Sequence, residues 1–211
     1  MRFFLLFFVQ LVFFNLAQSQ HSFGIRSGFH SSKVKFFVND DFLENSDALN
    51  QFEIGLFYNK KIHEHFALTP ELNYLERGGS IPGSISTEET HYNQLELVVP
   101  ITLQFRVKRF VPFAKLGLSY GYTLSGFTRT ALSRRELDFS DNDAYKRSDF
   151  GLVVGGGTHF LVTDSWGIFL EYRYRESFSY TMDAELEDIR LSTKNRGQGL
   201  VLGVMLTLSP D

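Results

Sequence analysis

The sequence contains no cysteine, so the disulfides that often staple secreted domains of this size are excluded, and the fold must be stable without them. Only five prolines and one tryptophan occur in 211 residues. Outside residues 1–20 no apolar run approaches the roughly 20 residues that a membrane-crossing helix needs. The formal net charge is −3, which removes any bulk electrostatic case for nucleic acid as a partner. The length allows one domain, or one β-barrel after processing.

Aromatics and glycine are abundant instead: 23 Phe, 9 Tyr and 17 Gly, a composition that suits a β-rich chain. The mean hydropathy of −0.11 is too polar for a helical membrane protein. It does not exclude a membrane barrel, whose strands alternate polar and apolar residues. Residues 1–20 stand apart. Arg2 precedes the apolar run FFLLFFVQLVFFNLA, and Gln18, Ser19 and Gln20 follow it. A basic start, a short apolar core and a small-residue end are the marks of a secretory signal peptide, with cleavage expected between Ser19 and His21. Residues 21–211 then form the mature barrel domain.

The clearest pattern lies in residues 91–128. Leu95, Leu97, Val99, Ile101, Leu103 and Phe105 fall on one face, with Gln94, Glu96, Thr102 and Gln104 on the other. After a short basic turn, Ala114, Leu116, Leu118, Tyr120, Tyr122 and Leu124 alternate with Lys115, Gly117, Ser119, Gly121 and Thr123. A period of two held this long predicts strands, and their length matches the roughly 9–11 residues of a tilted membrane-crossing strand. The same alternation predicts further strands at 21–30, 51–60, 66–77, 149–161, 166–180 and 198–208, eight in all. The connections alternate in length. Long ones cover 31–50, 78–90, 126–148 and 181–195; short ones lie near 61–65, 106–110 and 162–166. The expected fold is therefore all-β: an eight-stranded antiparallel up-and-down transmembrane β-barrel, with its long loops at one end and tight turns at the other.

Period two identifies an apolar face without saying which way it looks. The polar face is rich in small residues, among them Gly24, Gly28, Gly55, Gly117, Gly155 and Gly203. Eight strands leave an interior just wide enough for side chains to fill it, so small residues belong inside and bulky ones outside. That same face carries Arg26, Lys115, Arg173 and Arg175 together with Glu53, Glu71, Glu96 and Glu171. Four charges of each sign predict a closed polar lumen of paired ions, since buried charge is tolerable only when paired. Phe23, Tyr58, Tyr74 and Tyr92, with Phe105, Tyr122, Trp166 and Tyr174, are expected at the two lipid–water interfaces. The opposite orientation, a soluble lipocalin-like barrel with its greasy face around a ligand, fits the same period.

Several local motifs resemble those of the outer-membrane β-barrel proteins of Bacteroidetes known as PorT-like. They are the Gly24–Ile25–x–x–Gly28 start, Pro70-Glu71-Leu72-Asn73-Tyr74, Leu95 to Pro100, the glycine-rich stretch from Gly151 to Gly157, and Glu171-Tyr172-Arg173-Tyr174. The ending Leu208-Ser209-Pro210-Asp211 departs from the many outer-membrane barrels that finish on an aromatic residue read by the insertion machinery. The resemblance implies an OmpA/OmpX-like barrel in the bacterial outer membrane, with outer-membrane lipid or lipopolysaccharide and the barrel-insertion machinery as partners. It also implies an accessory role in protein secretion or envelope organisation.

No catalytic, cofactor or metal site is expected. His63-Glu64-His65 falls in a tight turn with no third ligand in sight. His159 and Ser119 share the polar face but lack a third triad member, although a lipid-modifying enzyme on this scaffold is the alternative to a non-enzymatic barrel. The glycines at 155–157 precede no helix and cradle no phosphate. The basic stretch from Thr128 to Arg135 is a candidate for touching lipopolysaccharide phosphates.

Overall fold

A computed structural model of the chain describes residues 21–83, 87–139, 144–186 and 189–208. The signal peptide expected at residues 1–20 lies outside them. Twelve strands form one sheet: β1 His21–Val38, β2 Asp41–Asn45, β3 Leu49–Lys61, β4 Phe66–Leu68, β5 Glu71–Ile81, β6 Glu88–Gln104, β7 Phe110–Arg129, β8 Arg134–Glu136, β9 Ser148–Leu161, β10 Trp166–Ser177, β11 Met182–Leu186 and β12 Ile189–Leu208. Eight staves make the ring, each antiparallel to its neighbours, and β12 pairs with β1 over eighteen residues to close it. Closure leaves no edge along the membrane-crossing part of the sheet.

The remaining pieces have simple causes. β4 and β5 are one stave, interrupted at Thr69-Pro70 because Pro70 has no N–H to give to the ladder. The stave stays attached on both sides: Tyr58 N donates to the Pro70 carbonyl at 3.0 Å, and Thr69 N to the Pro100 carbonyl at 3.0 Å. β2, β8 and β11 lie within the expected long loops, where they pair back onto β1, β7 and β12 as hairpins. Residues 31–50 are thus not an irregular loop. β1 runs on to Val38, and Asn39 and Asp40, at φ 50° and 66°, make the two-residue left-handed turn that suits a twisted hairpin. β5, β6 and β12 likewise extend past the expected strand ends. Gly78 is required in this upper region. Its φ is +151°, and a Cβ there would sit 1.8 Å from the Thr90 carbonyl oxygen.

The wall is inside-out relative to a soluble protein. Leu118, Leu202 and Phe29 are 64–70% exposed on the outer face, while eight of the twelve largest fully buried side chains are Arg, Glu, Gln or Asn. A lipocalin-like barrel would show the reverse. Aromatic pairs ring the wall at two levels: Phe110–Phe160 and Phe23–Tyr58 near the short turns, Tyr120–Phe150 and Phe29–Phe52 nearer the long hairpins. Phe110 and Tyr120 are ten residues apart on β7, so at about 3.3 Å per residue and a tilt near 40° the two collars bracket roughly 25 Å of hydrocarbon. Tyr92 does not join a collar. It keeps the alternation of Gln94 and Glu96, points inward and is buried.

Candidate functional site: the charged lumen

The inward-facing positions stack in layers from the short-turn end to the hairpin end. At the mouth, hydroxyls and amides meet: Asn59 Nδ2 donates to Thr69 Oγ1 at 3.3 Å, and Thr69 and Thr102 share a hydrogen bond at 3.0 Å. A cavity of about 130 Å³ opens here, with His159 and Met205 at its inner end.

Above it sits an apolar plug of Phe57, Phe113, Phe169, Val201 and Met205, all buried. Phe57 and Phe169 meet edge to face at 5.4 Å, and the His159 ring lies against Phe113 at 4.5 Å. These three phenylalanines contradict the expectation that bulky rings look outward. Phe57 and Phe169 fit because glycines hollow the facing wall. A Cβ on Gly24 would fall 2.2 Å from Phe57 Cζ, and one on Gly203 would fall 2.3 Å from Phe169 Cε1. Small and large residues are matched across the tube.

The charges come next. Arg26, Glu53, Glu71, Glu96, Lys115, Glu171, Arg173 and Arg175 are all buried, none more than 6% exposed. In the lower layer, Lys115 Nζ reaches both Glu71 Oε1 and Glu171 Oε1 at 2.6 Å. Arg26 donates to Glu71 Oε2 at 2.8 Å, and Arg173 bridges Glu171 Oε1 at 2.6 Å and Glu71 Oε1 at 3.0 Å. In the upper layer, Arg175 Nε donates to Glu96 Oε2 at 3.1 Å. Its Nη1 lies 2.7 Å from Glu53 Oε2, close enough for strong attraction but out of line for a hydrogen bond. Asn73 joins the layers, accepting from Arg26 and donating to Glu96 Oε2 at 3.3 Å.

Two members of this network escaped the sequence reading. Arg77 donates to Glu96 Oε1 at 2.5 Å and to Asp149 Oδ2 at 2.8 Å, and both Arg77 and Asp149 are buried. Their signal was parity. Arg77 falls two, four and six residues after Leu75, Asn73 and Glu71, and Asp149 falls two before Gly151, but each stood at the edge of its expected strand. With them the buried charges among the described residues number five of each sign. His30 is buried nearby, its Nδ1 3.6 Å from Glu53 Oε2.

The other candidates are dispersed. Ser119 pairs in register with Gly151 and His159 with Val111, which places the serine and the imidazole eight residues apart along β7, roughly 26 Å. They cannot share a reacting atom. His63-Glu64-His65 lies in the turn between β3 and β4, and no metal-holding group of His, Asp or Glu occurs among the described residues. In the basic stretch, Arg129 is paired with Glu89 at 2.8 Å, and Arg134 with Glu136 at 3.2 Å.

A closed antiparallel ring with a greasy exterior, two aromatic collars and a lumen of ions is a transmembrane β-barrel. Residues 16–183 match the family described as outer membrane protein beta-barrel domain, and the chain belongs to that family. No curated protein sequence matches it. Among solved structures it is similar in fold to the outer membrane protein OprG from Pseudomonas aeruginosa, with a TM-score of 0.58 at 10% identity over 92% of this chain and 99% of that one. It is also similar to Neisserial surface protein A, with a TM-score of 0.50 at 14% identity over 87% and 96%.

Proposed function

We propose that this small outer-membrane barrel is neither an enzyme nor a pore, and that it acts through its outer wall and its hairpin end. The carrying observation is the lumen. An apolar plug and two layers of paired ions fill the cross-section, and the space between plug and ions is about 20 Å³, room for about one water. A tube so filled conducts nothing. The eight sequence-identified charges serve as internal struts that hold the staves at fixed separation. The likeness to PorT-like proteins extends this reading to an accessory role in secretion or envelope organisation, with other envelope proteins docking on the hairpins.

Planar-bilayer recordings on the purified protein test the closed lumen, and a stable, large conductance would overturn it. Turnover of lipid A or phospholipid that is lost in His159→Ala would overturn the non-enzymatic reading. Fractionation should place the protein with outer membranes and release it only in detergent.

A further inference from the structure

We propose that the outer wall along the closing seam of the barrel, where β10, β12 and β1 run side by side, is a binding site for a phosphorylated, acylated glycolipid of the lipid A class. The inference rests on the outer-membrane reading, with the hairpin end facing out.

The register stacks the outward side chains of these three strands in rungs. Ser27, Leu202 and Leu170 form the lowest rung; Phe29, Leu200 and Tyr172 form the next. Ser31, Gln198 and Tyr174 follow, and then Lys33, Arg196 and Glu176. Lys35 and Lys194 face each other above that. The wall therefore passes from apolar to polar to basic in successive steps of two residues, about 6.6 Å each.

Two hollows follow the same gradient. The lower is an apolar groove of about 590 Å³ that includes Ser27, Leu170, Leu200 and Leu202. Ser27 creates the dent, being a small side chain between Ile25 and Phe29 on a wall otherwise built of large ones. The upper hollow, about 210 Å³, is lined by Lys33, Asn45, Tyr174 and Arg196. Ser31 and Gln198 line both, so the two are continuous.

The charges on this wall do not balance. Lys35 and Arg196 share one carboxylate, that of Glu176. Lys194 lies over the Tyr180 ring at 4.5 Å and the Phe37 ring at 5.4 Å, and Lys33 is exposed with no acidic partner among the described residues. Glu44 pairs with Phe36, on the opposite face of β1 from Lys33 and Lys35. Four cations against one anion leave a surplus on this wall. The surplus is local. On the far wall Arg129 and Arg134 are each matched by a carboxylate, Glu89 and Glu136.

The occupant follows from the chemistry. An acyl chain fits the groove, and phosphate suits a Lys–Arg pair directly above it. Cations spread over two rungs and two strands, about 7 Å by 5 Å, suit a headgroup with more than one phosphate better than the single phosphate of a glycerophospholipid.

The test uses the full mature protein folded in zwitterionic micelles, with its fold checked by heat-modifiable migration. Binding of bisphosphorylated lipid A, the same lipid with its phosphates removed, and phosphatidylglycerol is measured by native mass spectrometry. The bisphosphorylated form should bind roughly tenfold tighter than either other lipid, and the double variant Lys33→Gln/Arg196→Gln should bring all three within about twofold. Ser27→Phe should weaken both forms of lipid A by filling the groove, while Arg129→Gln/Arg134→Gln should change nothing. Equal binding of all three lipids by the unaltered protein, or the same loss from the Arg129/Arg134 variant, would mean a nonspecific lipid annulus and overturn the site. A protein that fractionates with outer membranes and conducts nothing, yet shows no discrimination among lipids, ends this inference and leaves the closed-barrel reading intact.

Discussion

Arg77 on β5 and Asp149 on β9 are joined across the lumen by a 2.8 Å hydrogen bond, although β6 and β7 separate their strands around the ring. The same guanidinium holds Glu96, and Asp149 also accepts from Ser177 Oγ at 2.8 Å. This contact runs across the tube rather than along its wall. Asp149→Ala should therefore destabilise the barrel by about 3–5 kcal/mol, the range for stranding a buried partner, whereas Asp149→Asn, which keeps an acceptor, should lose less. Urea unfolding in micelles, followed by gel mobility, measures both.

Glu171→Ala removes one of the two carboxylates that hold Lys115 and Arg173. A loss of similar size, about 3–5 kcal/mol, is expected. Arg175 is not among the stranded groups, because it pairs with Glu53 and Glu96. Hence Glu171→Ala and Glu53→Ala, in different layers, should be close to additive, and a double-mutant cycle showing strong coupling between them would contradict the layering.

Phe57→Ala should cost about 3–5 kcal/mol by opening a cavity in the plug. Gly24 already provides the hollow that Phe57 fills, so that part of the wall has no side chain of its own to close the gap. Thermal unfolding in detergent reads the effect.

On the outer face, Leu116→Arg places a charge near the middle of the span between the aromatic collars and should lose about 2–4 kcal/mol in lipid. Lys108→Ala, in the short turn where Lys108 adopts φ 58°, gives the contrast. It removes a charge outside the hydrocarbon, and its effect should be small and insensitive to bilayer thickness.

Acid should loosen the hairpin end before it opens the barrel. Asp183 on β11 accepts from Arg190 Nε at 2.8 Å and Arg190 Nη2 at 2.9 Å, and Lys146 donates to it at 3.3 Å. The Arg190 hydrogen bonds hold its carboxyl below the ordinary value, at about 2. A depressed carboxyl stabilises the folded form fully above its unfolded value of 3.8 and loses that stabilisation as the pH falls toward 2. Hydrogen exchange in residues 182–186 and 189–195 should rise across that window, while amides between the collars stay protected. Asp183→Asn should show the loosened behaviour at neutral pH.

Much of this was legible in the sequence because a strand's side chains alternate without exception until a bulge or a turn intervenes. Leu95 to Phe105 and Ala114 to Leu124 announced the staves, and the rhythm of long and short connections announced the meander. The eight charges Arg26 through Arg175 could be assigned to one face by parity alone. Two kinds of information were not local. Residues 31–50 read as a loop because Asn39, Asp40, Asp41, Asn45 and Asp47 break any period of two, yet these residues and the stretch 181–195 pair as hairpins once β1 and β12 have met. Phe57 and Phe169 broke the rule that bulk faces lipid because their space is made by Gly24 and Gly203 on other strands.

By itself, the order of residues determined that this chain forms alternating strands, that one face of them is greasy, and that the other carries matched charge. Only the closed ring decided which acid meets which base. Glu71 with Lys115, and Arg77 with Asp149, are distant in the chain, and their partners were settled by register, stagger and the width of an eight-stave tube. The same closure set β1 beside β12 and so laid the basic rungs over the apolar groove. Neither strand carries that surface alone, because it exists only where the first stave meets the last.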